Sequence, residues 1–266
     1  MAATEIEARL SEALSALPEA VLEKLGHISF LGRTRTADRL QGVRLKQTPL
    51  EDGRLMNDAH RHTTLNQTKF DKWSATYDEK RFDFFRRLQR GLLSMLELRP
   101  DSAFLDVGCG TGWAVRQVAV STKAKAYGID LSQMMIERAK VAAEGIENAS
   151  FQQGTAEALP FIDRFFDFII CTMSFHHYLN PSRAVGEMAR TLKPKGQLHI
   201  MDVTADSFAV RWWDRKFMQK QPDHVKLYSS SEFQELYRTA GLVYLGTKRS
   251  AYPLIPVKIH SAEKQD

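Results

Sequence analysis

The sequence predicts an α/β protein: an open, doubly wound, mostly parallel sheet carrying a helical N-terminal extension. Three observations point there. Ala103 to Ala114 reads as a short apolar strand, a turn with glycine at three alternate positions (Gly108, Gly110, Gly112), and the start of a helix. Downstream, apolar runs of strand length alternate with stretches of helical periodicity, the pattern that builds parallel sheets with helices on both faces. The chain of 266 residues is 43% hydrophobic and 26% charged, ordinary values for a globular protein large enough to bury one sizeable core.

The elements follow in order. Ile6, Leu10, Leu14 and Leu17 recur at helical spacing and predict a helix over Glu5 to Leu17; Pro18 opens a second over Glu19 to Leu25, stopped by Gly26. Two stripes this short cannot form a core alone, so they must pack on the main domain or on a second subunit. Arg33 to Thr68 is polar and carries Gly42, Pro49 and Gly53, which predicts an irregular segment. Residues 1–66 are therefore expected to be an extension and 67–266 the main domain. Phe82, Phe85, Leu88, Leu92 and Leu96 predict a helix lying on the sheet and ended by Pro100. After the first strand and glycine turn come a crossover helix marked by Val115 and Val118, a strand over Lys125 to Asp130, and a helix from Ser132 to Glu144 that Ser132 is suited to cap. A third strand is expected at Ser150 to Gly154, and a fourth, apolar enough to be buried on both faces, at Phe165 to Cys171. Pro181 starts a helix over Ser182 to Leu192, and a Lys193 to Gly196 turn leads to a strand over Gln197 to Val203. Phe208, Trp212, Trp213, Phe217 and Met218 predict an aromatic-rich helix roofing a substrate pocket; Ser231 is the expected cap of a last helix, Glu232 to Ala240, ended by Gly241. Leu242 to Gly246 and Ala251 to Ile259 are expected to close the sheet, with Pro253 and Pro256 confining the latter to an edge or bulge, or shortening it.

Composition excludes several classes. The N-terminus carries Glu5, Glu7 and Glu12 against Arg9, unlike a secretory or transit peptide, and no stretch reaches the roughly 20 apolar residues of a membrane span, so a cytoplasmic location is expected. Two cysteines, Cys109 and Cys171, form neither a zinc set nor a disulfide framework, and no metal is expected. The net charge is +5. Between Arg61 and Arg99 nine Lys or Arg face five acids, a surplus that could meet nucleic acid but reads more simply as a solvated helix face.

The glycine turn carries the chemistry. Alternate glycines admit positive φ and let bare backbone approach a ligand, while the following helix points its free amides at it. A dinucleotide site needs a further glycine three places after Gly110, where Trp113 stands instead. Asp106, just before the turn, would repel a pyrophosphate but suits a ligand bearing an ammonium and a sulfonium. Leu105 to Gly112, LDVGCGTG, resembles the first motif of the class I S-adenosylmethionine-dependent methyltransferases, and the order of motifs from about Phe70 to Thr204 resembles their UbiE-like, type 11, small-molecule branch.

That resemblance implies a Rossmann-like doubly wound seven-stranded mostly parallel sheet with a helical N-terminal extension, and S-adenosyl-L-methionine as cofactor. Its expected binding residues are Asp106, Gly108, Cys109 and Gly110 at the first turn, and Asp130 and Leu131 after the second strand. Asp130 stands 20 residues beyond Gly110, the spacing at which an acid meets a ribose. Met135, opening the next helix with Met134, is placed toward the adenine, with Thr155, Ala156 and Glu157 on the adenine-side loop, where Thr155 replaces the family's usual acid. Thr172 ends the fourth strand. Phe70 to Asp78 resembles the segment over the cofactor's methionine end, making Tyr77 a candidate lid residue with Trp73 one turn earlier; capping of the core is the other reading of these aromatics. Thr172 to Tyr178 places His176 and His177 at the end of a central strand. Consecutive residues diverge, so one of the two histidines is expected to face the pocket, either as a base or only to pack and position. The expected acceptor is a small or medium-sized metabolite such as a quinone-like ring. A tRNA methyltransferase is the nearest enzyme alternative, although no RNA-binding appendage is recognisable. A catalytically silent partner subunit is the other alternative. Self-association through the N-terminal helices completes the partner expectations.

Overall fold

The computed structural model describes residues 58–74, 77, 83–221, 223–250 and 256–266. The two helices expected between Glu5 and Leu25, and any self-association through them, lie outside the described residues.

A seven-stranded sheet in the order β3-β2-β1-β4-β5-β7-β6 organises the chain. Its strands are β1 Ala103–Val107, β2 Lys125–Asp130, β3 Ala149–Gln153, β4 Phe166–Thr172, β5 Leu192–Val203, β6 Leu242–Arg249 and β7 Val257–Lys264. Pairings from β3 across to β5 are parallel, whereas β7 runs antiparallel to β5 and to β6. The helices are α1 Asp58–Ser74, α2 Asp83–Leu93, α3 Trp113–Thr122, α4 Gln133–Ala142, α5 Pro181–Thr191, α6 Phe208–Lys216 and α7 Ser230–Thr239. Successive side chains of β1 point to opposite faces. Phe104 joins a core with Leu88 of α2, Val115 of α3, Ile136 of α4 and Trp213 of α6. Leu105 joins the other core, with Val185 and Met188 of α5 and Phe233 and Tyr237 of α7. The sheet is thus covered on both faces, and the carboxyl ends of its five parallel strands share one edge, where ligands bind in such folds.

Several elements differ from expectation. The segment expected to be irregular up to Thr68 is helical from Asp58, because α1 packs on α4 and tertiary contact outweighs its polar composition; the expected domain boundary at residue 66 falls inside this helix. Helix α2 ends at Leu93, well before Pro100 and without Leu96, where Ser94 Oγ donates to the Gly91 oxygen at 2.9 Å. The Lys193 to Gly196 turn is absorbed into β5 as an irregularity, with Lys195 at φ 63 where the family has glycine. Ser229, not Ser231, caps α7, through a capping box with Glu232 that meets the backbone at both ends. The second closing strand is shortened, one of the outcomes its prolines allowed: it begins at Val257, past Pro253 and Pro256, and lies inside the sheet rather than at its edge. A strand paired on both sides needs its amides, so it starts where the prolines stop.

Candidate functional site

The loop between β1 and α3 is built by three left-handed glycines, at φ 77, 53 and 76 for Gly108, Gly110 and Gly112. A Cβ at Gly108 would lie 2.3 Å from Ser174 Oγ, and one at Gly112 would lie 2.3 Å from the Phe151 ring. The amides of Gly108 and Cys109 both donate to the Ile129 carbonyl, at 2.8 and 3.0 Å, which pins the loop to the end of β2. The Gly110 amide donates to Asp130 Oδ2 at 2.8 Å, and the Ser132 amide to Oδ1 at 2.9 Å. Ser132 caps α4 by accepting from the Met135 amide at 3.1 Å.

A cavity partly open to solvent lies over this edge. Of the residues singled out from sequence, Gly108, Gly110, Asp130, Leu131 and Met135 line its floor and one end. Thr155, Ala156 and Glu157 line the wall beyond β3, while Thr172, His177 and Tyr77 line the other end. Tyr77 lies over Gly110, its ring 3.3 Å from where a Cβ would be. Thr155 Oγ1 accepts from the Glu157 amide at 3.2 Å, and Glu157 Oε1 accepts from the Asn180 amide at 2.7 Å, so that loop is tied to the start of α5.

Three singled-out residues do not line this cavity. Cys109 faces a smaller neighbouring one, with Arg86, Gln89 and Thr111. Asp106 is buried within β1, and neither carboxylate oxygen has a hydrogen-bond partner. Burial, and secondarily the nearby Asp130, pushes its carboxyl up to about 8. An orphaned buried acid is costly and calls for an explanation such as a cationic ligand group. The third is His176. Its ring Nδ1 lies 2.8 and 2.9 Å from the two carboxylate oxygens of Asp202, and its amide donates to the same group at 3.1 Å. The two rings do not diverge as expected, their centroids lying 4.0 Å apart, but Asp202 of β5 holds His176 off the cavity that His177 lines.

His177, one residue further along a 3₁₀ turn of Phe175–His177, faces the cavity. Its Nδ1 is bonded to the main-chain oxygen of Asp223. A carbonyl only accepts, so Nδ1 carries the proton and Nε2 holds the lone pair. Burial first, then His176, holds the His177 ring well below the usual histidine range, so it is neutral near pH 7.

Helix α1 contributes Phe70, from the segment expected over the cofactor, and three lining residues that sequence reasoning missed: His62, Thr63 and Asn66. The usable signals were the absence of Gly and Pro between Arg54 and Arg90 and the i, i+4 spacing of His62, Asn66 and Phe70. Conversely, α6 does not reach the cavity as the expected aromatic roof: Trp213 is buried in the sheet-face core and Phe208 is exposed.

The left-handed glycine cradle and the acid at the end of β2 together fit a ligand with a sugar and little tolerance for side chains beneath it. Comparison with known proteins agrees. Residues 56–246 match the family model described as "Methyltransferase domain". The chain is similar to an uncharacterized methyltransferase, YcgJ, of Bacillus subtilis, 33% identical over 194 residues that cover 71% of this chain and 76% of that protein. It is also similar to the 27-O-demethylrifamycin SV methyltransferase of Amycolatopsis mediterranei, 30% identical over 67% of this chain and 66% of that one. Among solved structures, a chain of the complex between the Haloferax volcanii Trm112 methyltransferase activator and a methyltransferase shares the fold, with TM-score 0.66 and 20% identity over 74% of this chain and 98% of that chain. Sheet order, glycine loop and family match lead to one conclusion: this chain belongs to the methyltransferase-domain family, as an S-adenosylmethionine-dependent methyltransferase.

Proposed function

We propose that the protein methylates a small or medium-sized metabolite, a hydroxyl-bearing ring being the best fit, and that His177 is the base that takes the acceptor's proton. The observation that carries this is the placement of His177: on the cavity wall, neutral, its Nδ1 proton committed to Asp223. When bound, S-adenosylmethionine supplies an activated methyl on a sulfonium for in-line displacement.

The chain's own residues bind, orient and exclude water. In this reading Gly108 and Gly110 admit the amino-acid end against bare backbone, and Asp130 accepts from the ribose. Leu131, Met135, Thr155, Ala156 and Glu157 hold the adenine end, and Thr172 borders the reacting end. Tyr77 covers the loop and keeps water away. Cys109 serves as a buried, uncharged part of the loop, its thiol pushed up chiefly by burial. His177 Nε2 receives a proton as the acceptor's nucleophile develops. His176 holds the turn through Asp202 without touching the acceptor. Alignment supplies much of the acceleration and the base adds to it.

The test is a metabolite extract incubated with methyl-labelled cofactor and read by mass spectrometry, alongside calorimetry with S-adenosylhomocysteine. Label in a small molecule is the expected result. Label entering only RNA or protein overturns the metabolite reading, and no heat of binding overturns the site.

A further inference from the structure

One turn of α1 touches both ends of the site. Lys69 Nζ donates to Asp223 Oδ2 at 2.5 Å. The Phe70 ring packs edge-on against the His177 ring, centroids 5.3 Å apart at 79°. Asp71 Oδ1 accepts from Ser132 Oγ and, at 3.4 Å, from the Met134 amide, which ties the turn to the start of α4. The partner segment is equally committed: Asp223 receives the His177 Nδ1 proton on its main-chain oxygen, and the Val225 amide donates to the His176 carbonyl at 3.0 Å. His224, between them, bonds through Nε2 to Asp214 Oδ1 at 2.6 Å, anchoring the segment to α6. Two turns earlier, His62 Nε2 donates to the His177 carbonyl at 3.1 Å.

We infer that Lys69 and Asp223 are positioning residues that set the tautomer and direction of His177, and that the Lys69 to Asp71 turn couples this setting to the cofactor side of the cavity through Asp71 and Ser132. This rests on the proposed role of His177. The physical case is that a side-chain amine on α1 holds the carboxylate of the residue whose backbone oxygen selects the Nδ1–H form. If Asp223 swings away, nothing else described bonds Nδ1, and the ring is free to carry its proton on Nε2, where it cannot accept one. Lys69 is only a quarter exposed and Asp223 is 7% exposed, so the pair is screened less than a surface ion pair.

The experiment uses the full chain with nitrogen-labelled histidine rings, read by NMR without and with S-adenosylhomocysteine. In the unaltered protein His177 shows the proton on Nδ1 alone. Lys69→Met and Asp223→Asn each remove the ion pair but keep the Asp223 backbone oxygen. Each should yield a mixture of both tautomers, the double variant should resemble either single one, and Lys69→Arg should restore the single form. Loss of a nearby positive charge alone would move the ring's titration and leave the proton on Nδ1 in every variant, and that outcome overturns the inference. Asp71→Asn should weaken S-adenosylhomocysteine by about fivefold, the loss expected of one net hydrogen bond, and also shift the His177 ring signals. Unmoved signals in that variant overturn the coupling. Should the unaltered protein not bind S-adenosylhomocysteine at all, the functional reading falls and this inference with it. Binding with an unmoved tautomer sinks the inference alone.

Discussion

The Gly110 amide meets Asp130 Oδ2 at 2.8 Å across 20 residues of sequence, so the carboxylate expected to read a ribose also holds the shape of the glycine loop. A carboxylate has about four lone-pair sites, enough to hold the loop and Ser132 while accepting from a ligand as well. Asp130→Ala should therefore lower S-adenosylhomocysteine affinity about ten- to hundredfold, as loss of one charged hydrogen bond of roughly 1.5–3 kcal/mol implies. Calorimetry decides; an unchanged dissociation constant would show that the acid only shapes the loop.

Asp106 makes stability depend on pH. Its carboxyl keeps a proton up to about pH 8 in the folded chain, against an ordinary value of 3.8. The folded state thus binds more protons than the unfolded state in between, and this group's contribution is fully present below about pH 4 and is lost as pH rises towards 8. Asp106→Asn should flatten that decline and make the free protein more stable at pH 8 than the unaltered chain, as read by urea unfolding at pH 6 and 8. A pH slope identical in the two proteins would show the acid to be ionised already.

Glycine substitutions separate packing from backbone strain. Gly112→Ala combines a left-handed φ with a Cβ 2.3 Å from the Phe151 ring, so a loss of about 2–5 kcal/mol is expected from conformational strain plus overpacking. Gly145 has φ +80 but nothing within 4 Å of a built Cβ, and Gly145→Ala should cost only the roughly 1–2 kcal/mol of the dihedral. Denaturant midpoints measured at matched slopes test the difference.

The two histidines should part company. His177→Ala is expected to lower turnover by about 10²- to 10⁴-fold, the usual reach of a general base, with little change in S-adenosylhomocysteine affinity. His176→Ala removes the ring's hydrogen bond to the buried Asp202 carboxylate, leaving, among the described residues, only the backbone donors of residue 176 and Val203, and should cost about 1–3 kcal/mol of stability. Steady-state kinetics paired with thermal unfolding distinguish them. The reverse assignment, His176 catalytic and His177 structural, would contradict the cavity geometry.

Much of the architecture was legible because its determinants are local. The apolar run of β4 and the glycines of the first loop each act through neighbours a few residues away, by burial pattern or φ. Boundaries failed where a non-local partner intervened, as when pairing on both sides moved β7 past its prolines, and when packing on α4 made a helix of a polar stretch.

The amino-acid order by itself determined the strand and helix sequence from β1 onward, the glycine cradle and the acid 20 residues beyond it, since periodicity and backbone conformation are written in short windows. Only the tertiary structure decided which histidine faces the cavity, where the proton sits on its ring and that α1 supplies a wall. Those outcomes depend on Asp202, 26 residues from His176, on Asp223, 46 residues from His177, and on Lys69, 154 residues from Asp223. A side chain's direction is set by whatever the fold brings against it, and partners so far apart along the chain leave no local pattern from which to read it.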